Sequence, residues 1–126
     1  MRPRIGIDAV RVSTLQAYLG DLGSLDLGWT GEEIRDAGGD VEALAAQWAV
    51  KEAVMKLLTI GIGEISPQDI RVQRIVGKPP TVRLTGGASE RSVAEGVGEI
   101  AISITHDGEV VTAVAMAIAK GGDGIE

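Results

Sequence analysis

The sequence predicts a domain that mixes helices with hairpin-joined strands, and three stretches carry that reading. Residues 41–58 set Val41, Leu44, Ala45, Trp48, Ala49, Met55 and Leu58 at spacings of three and four, the pattern of one helix face. Residues 70–75 (IRVQRI) and 81–85 (TVRLT) alternate as half-buried strands either side of Gly77-Lys78-Pro79-Pro80, a hairpin with a longer loop. Residues 99–105 (EIAISIT) and 110–119 (VVTAVAMAIA) flank His106-Asp107-Gly108-Glu109, where Asp-Gly is a strong hairpin signal.

The chain opens with a strand over residues 4–10 (RIGIDAV) that Asp8 closes, as a turn former, as a cap for the next element, or as a site residue. Ser13 reads as the N-cap of a short helix over 14–22 carrying Leu15, Tyr18, Leu19 and Leu22. Residues 23–28 read as a loop. Thr30 and Glu33 have capping-box spacing and start a brief helix with Ile34 facing inward. Residues 36–40 (DAGGD) turn into the central helix, with Asp40 as its N-cap. Gly61 or Gly63 suits that helix's C-cap. Gly61-Ile62-Gly63 follows a helix rather than opening one, so it is no nucleotide fingerprint. Ser66-Pro67-Gln68-Asp69 is a turn, residues 88–96 a weak helix, and residues 121–126 (GGDGIE) a frayed tail. With no repeat or linker, residues 1–126 read as one domain.

Charge and composition narrow the function. With 12 basic and 18 acidic residues the net charge is −6, which argues against general nucleic-acid binding. The absence of cysteine excludes disulfides, thiolate metal sites and a cysteine nucleophile. No apolar run approaches membrane-spanning length, and the one near the N-terminus is too short for a signal peptide, so a cytoplasmic protein with no membrane partner is expected. Aromatic residues make up 2% and phenylalanine is absent, so Val, Ile, Leu and Ala must build the core. A central helix apolar on nearly all sides is readily completed by a neighbouring subunit, so an oligomer is expected.

Glu52 is the anomaly of that helix. At about 100° per residue it points between Val41, Ala45 and Trp48. A carboxylate there must be protonated, paired with a cation such as Lys56 one turn on, or bound to a metal. The lone His106 beside a turn reads as solvated or as a support of backbone geometry. It lacks histidine partners for a metal, and a serine or cysteine at nucleophile spacing. Chemistry therefore rests on Asp8 and Glu52, with Lys56, Lys78 and His106 on separate segments. Two carboxylates, completed by water and substrate oxygens, suit Mg²⁺; ammonium and imidazole groups suit phosphates.

Three clusters, Gly6-Ile7-Asp8, Trp48-Ala49-Val50-Lys51-Glu52-Ala53 with Lys56, and Ser103-Ile104-Thr105-His106-Asp107, resemble the signatures of the holo-acyl-carrier-protein synthase family, the small 4′-phosphopantetheinyl transferases. Trp29-Thr30 with Glu33, Gly61-Ile62-Gly63, Asp69-Ile70, and Gly77-Lys78-Pro79 followed by Val82, Leu84, Gly86 and Ala88 agree in order between them. The resemblance implies an α+β fold with the long helix on an antiparallel sheet, and a homotrimer with active sites between subunits. It implies transfer of phosphopantetheine from coenzyme A to a serine of an apo acyl carrier protein, releasing 3′,5′-ADP. Carried over by position, Asp8 and Glu52 ligate Mg²⁺ and Lys56 contacts phosphate. Gly77, Lys78, Pro79, Thr105 and His106 touch the CoA nucleotide, from two different subunits. The serine proton leaves to a metal-bound water or to Glu52.

The chain departs from the family at Gln47, where an arginine is usual before the aromatic residue, so a charged contact is lost. Its first helix region offers Arg11 as the main basic residue, followed by Asp21 and Asp26, which disfavours electrostatic docking of an acidic carrier protein. Arg2, Arg4 and Arg35 are alternative contacts, and a carrier domain of a specialised pathway is an alternative partner. These departures favour a rival, a degenerate trimeric CoA-binding or scaffold protein; retention of Asp8, Glu52, Lys56 and His106 together argues against it.

Overall fold

The computed structural model describes residues 2–20, 25–61 and 63–119. In chain order these form β1 (Arg2–Arg11), α1 (Val12–Leu19), α2 (Leu25–Gly28), α3 (Gly31–Ala37), α4 (Val41–Leu57), β2 (Ile70–Gln73), β3 (Thr81–Leu84), α5 (Gly86–Ala94), β4 (Val97–Asp107) and β5 (Val110–Ala119). The α+β architecture has α4 lying across an antiparallel sheet of order β1-β5-β4. The β2–β3 hairpin is a separate two-stranded sheet.

Small side chains let helix and sheet meet closely. Ala45, Ala49, Val50, Ala53 and Val54 of α4 are fully buried, as are Ala113 and Ala115 of β5. Alternation along β5 sends Val111, Ala113, Ala115, Ala117 and Ala119 to the helix side and leaves Met116 and Ile118 outside. On β1 the same rule buries Gly6 and exposes Ile5 and Ile7. Ile5 pairs with Met116 and Ile7 with Val114, so the far face of the sheet is an open apolar surface.

Several local expectations change. Asp8 does not close β1: the strand runs on to Arg11, because pairing with β5 continues through Arg11 and Val110. Ser13 is not an N-cap; α1 starts at Val12, and the Ser13 N–H donates to Glu109 Oε1 at 3.0 Å, so a carboxylate from the β4–β5 turn serves this helix end. The expected end of that helix at Leu22 lies outside the described residues, and the expected loop contains α2. Neither Gly61 nor Gly63 caps α4. Thr59 takes the left-handed position (φ 55), with Thr59 N–H donating to Lys56 O and Ile60 N–H to Met55 O, a Schellman pattern. In the last hairpin Asp107 pairs with Val110, so Gly108 (φ 60) and Glu109 make the turn. The Asp40 cap and the Thr30–Glu33 capping box form as expected.

Candidate active site

Gly6 sets the geometry of the site. A Cβ at Gly6 would lie 1.9 Å from Ala53 O and 2.8 Å from Leu57 N, so only glycine lets β1 touch the α4 backbone. Two residues on, Asp8 reaches the same helix with its side chain 13% exposed. Lys56 Nζ lies 3.1 Å from Asp8 Oδ1 and donates to Ile7 O at 2.9 Å. Lys56 thus pairs with Asp8, which competes for it with the expected partner Glu52.

Glu52 is half-buried rather than sunk in the core. Its carboxyl is held above the ordinary value, first by burial and then by the negative charge of Asp8; a hydrogen bond from Trp48 and the charge of Lys56 oppose the rise. Trp48 is held against Trp29, ring centroids 5.1 Å apart. Asp8, Glu52 and Lys56 therefore meet in one electrostatic neighbourhood: two like charges in each other's field beside one ammonium. Among the described residues no group of three or more His, Cys, Asp or Glu is placed to hold a metal. A pair of carboxylates, hard and acceptor-only when ionised, fits a cation that takes its remaining ligands from water and substrate oxygens.

The buried charge on α4 belongs to Lys51, not Glu52. Lys51 and Glu33 are both 0% exposed, and Lys51 Nζ lies 2.8 Å from Glu33 Oε1. The helix separates the two roles: Gln47 and Lys51 share one stripe, Glu52 and Lys56 the next, about 100° round. Both residues fall within the clusters that carry the family resemblance, but the one local pattern at either of them is the Thr30–Glu33 spacing. That spacing reads as a cap alone, yet Glu33 also pairs with Lys51 and accepts from Val72 N–H.

The remaining candidates stand elsewhere. His106 is on β4 with Nδ1 2.9 Å from Glu42 Oε1. Glu42 is ten residues before Glu52, about 15 Å along α4. Thr105, its neighbour on β4, points to the opposite face of the sheet. Gly77 (φ 80), Lys78 and Pro79 are exposed in the β2–β3 loop. Gly77 and Lys78, with Arg74, Pro80, Asp36 and Gln47, line a cavity of about 390 Å³. Gln47 is 1% exposed and donates Nε2 to Glu33 O at 2.9 Å, so the position of the missing arginine is a buried polar strut. Of the basic residues considered for docking, Arg11 pairs with Glu109 and Arg4 with Glu95 and Leu57 O.

The model of the 4′-phosphopantetheinyl transferase superfamily matches residues 4–115. The holo-[acyl-carrier-protein] synthase of Treponema denticola is 34% identical over 121 residues, covering 93% of this chain and 97% of that protein. The holo-[acyl-carrier-protein] synthase of Moorella thermoacetica is 46% identical over 74 residues, an alignment that spans 59% of this chain and 58% of that relative. The structure described as the Chronobacterium ammoniagenes ACPS-CoA complex matches with a TM-score of 0.84 at 25% identity, covering 94% of this chain and 98% of that one.

Proposed function

The chain belongs to the 4′-phosphopantetheinyl transferase superfamily, and we propose that it transfers 4′-phosphopantetheine from coenzyme A to a serine of an acyl carrier protein, releasing 3′,5′-ADP. The observation that carries this reading is the meeting of Asp8, Glu52 and Lys56 where β1 crosses α4. The carrier serine attacks the β-phosphorus; its bond to that phosphorus forms, the bond to the 3′,5′-ADP oxygen breaks, and the hydroxyl proton passes to Glu52 or to a water molecule. Asp8 and Glu52 would hold Mg²⁺, which supplies charge stabilisation to the diphosphate. Lys56 places a second positive charge beside it, its ammonium oriented by Ile7 O. Gly77, Lys78 and Pro79 bind the CoA nucleotide. Thr105 and His106 serve the same nucleotide in a site shared with the next subunit, which accommodates the distance from His106 to Glu52. Residues 1–126 act as one transferase domain.

The sharing requires a neighbouring subunit, and the proposed assembly is a homotrimer. The open apolar face is its proposed contact: Ile5 is 68% exposed, Ile7 56%, Met116 49% and Ile118 44%. Ile5→Asp is expected to give monomers at micromolar concentration by light scattering, with transfer lost alongside the trimer. A variant that stays trimeric assigns the contact elsewhere. No helix of the described residues is long and apolar enough to cross a membrane, and the proposed location is the cytoplasm.

The function is tested by the intact mass of apo carrier proteins incubated with this chain, CoA and Mg²⁺. A magnesium-dependent phosphopantetheine adduct is expected. No adduct on several carriers, with CoA still bound, would replace the enzyme with a non-catalytic CoA-binding scaffold.

A further inference from the structure

We propose that Glu33, Gln47 and Lys51 form a clamp that positions the β2–β3 hairpin for the nucleotide end of the substrate, an inference that rests on the reading of the Gly77-Lys78-Pro79 loop above. These are the buried polar or charged residues among those described, and they form one cluster. Lys51 Nζ donates to Glu33 Oε1 at 2.8 Å, to Pro67 O at 2.9 Å and to Ile70 O at 2.6 Å, three acceptors for three ammonium protons. Glu33 Oε1 also accepts from Thr30 N–H at 2.8 Å, and Oε2 from Val72 N–H at 2.8 Å. One turn before Lys51, Gln47 holds the carbonyl of Glu33 itself. The start of α3, the middle of α4 and the beginning of β2 are thus tied to one charge pair.

The hairpin needs such a tie. Its two strands share no ladder with the three-stranded sheet, and a two-stranded hairpin alone is marginal in water. Side-chain contacts must therefore fix its position over α4. Arg74 follows Val72 by two residues and stands with Lys78 at the cavity that Gln47 also lines. Among the described residues neither cation is held in an ion pair or side-chain hydrogen bond, and the two stand against the single carboxylate of Asp36 in that cavity, which leaves it net positive toward an anionic ligand. A buried ion pair adds little net stability over well-packed apolar groups, and its best-supported use is to specify one arrangement.

The test compares the parent with the Glu33→Gln/Lys51→Met double variant, which removes both charges together. KM for CoA and the dissociation constant for 3′,5′-ADP are expected to rise about 10-fold to 100-fold, as for a small misplacement of binding groups. The kcat is expected to stay within about threefold, since neither residue touches the reacting phosphate. A folded variant whose KM and dissociation constant match the parent overturns the proposal, whatever its kcat. If the variant does not fold, amide exchange in the parent decides. Protection of Val72 N–H already present without ligand supports the clamp; protection that arises only with 3′,5′-ADP overturns it. A parent that neither binds 3′,5′-ADP nor modifies a carrier overturns the functional reading and the clamp with it, an outcome distinct from an active parent with an unaffected variant.

Discussion

Glu52→Gln is expected to lower transfer to a carrier serine by about 10²-fold to 10³-fold, the scale of removing one preorganised electrostatic contact to the transition state. The amide has the size of the carboxylate and can still accept from Trp48, so packing is preserved. It lacks the negative charge that would hold a divalent cation with Asp8. The same change has an opposite effect on stability. Burial and Asp8 hold the Glu52 carboxyl above the ordinary value of 4.5, so the folded state binds more protons than the unfolded chain. Its contribution to folding is therefore most favourable below the ordinary value and is lost as pH rises through the raised one. In metal-free protein at neutral pH the variant is expected to melt at or slightly above the parent. Melting in chelator between about pH 4 and pH 8 checks the sign, with the parent losing more stability than the variant as pH rises. A variant that melts well below the parent makes Glu52 a structural residue, and near-normal turnover removes it from the active site.

Gly6→Ala is expected to destabilise the fold by about 3 kcal/mol or more, the upper range for overpacking a close contact. The atoms a Cβ would meet are backbone, Ala53 O at 1.9 Å and Leu57 N at 2.8 Å, and no side-chain rotation relieves them. Either β1 lifts from α4 or the helix shifts. Both separate Asp8 from Lys56 and Glu52, so transfer falls with stability. Denaturant titration reads the first effect, and the rate at a temperature where the variant is still folded reads the second. An alanine variant with parental stability would mean that β1 does not lie against Ala53.

Much of the fold is legible in the sequence because periodicity is a local property. The α4 stripe, both hairpins, the Asp40 cap and the Thr30–Glu33 box each lie within a few residues of sequence, and all form. The misreadings share a different origin. Asp8 looks like a strand end because aspartate is by residue type a turn former or cap, whereas strand length is set by pairing with β5, about a hundred residues away. Gly61 and Gly63 look like caps by residue type, yet Thr59 accepts the left-handed backbone while its carbonyl and hydroxyl both receive Arg91 of α5. The largest error concerns the buried charge. A helical projection places Glu52 in the apolar stripe, but which face is deepest depends on what packs there. Contacts with α3 and β2 bury Lys51, for which Glu33 supplies a counter-charge that no local pattern could pair with it. The nearness of Glu52 and Lys56 is legible in helical spacing, but the approach of Asp8 to them is legible only through the resemblance, since 44 positions separate the two carboxylates, from 8 to 52.

The most direct test of that convergence is Mn²⁺ titration, read by electron paramagnetic resonance, of the CoA-loaded parent and of the Asp8→Asn and Glu52→Gln variants. Two carboxylates sharing one ion predict a single bound Mn²⁺ per site in the parent and its loss in each variant, with CoA retained. Parental Mn²⁺ affinity in either variant would contradict the shared site.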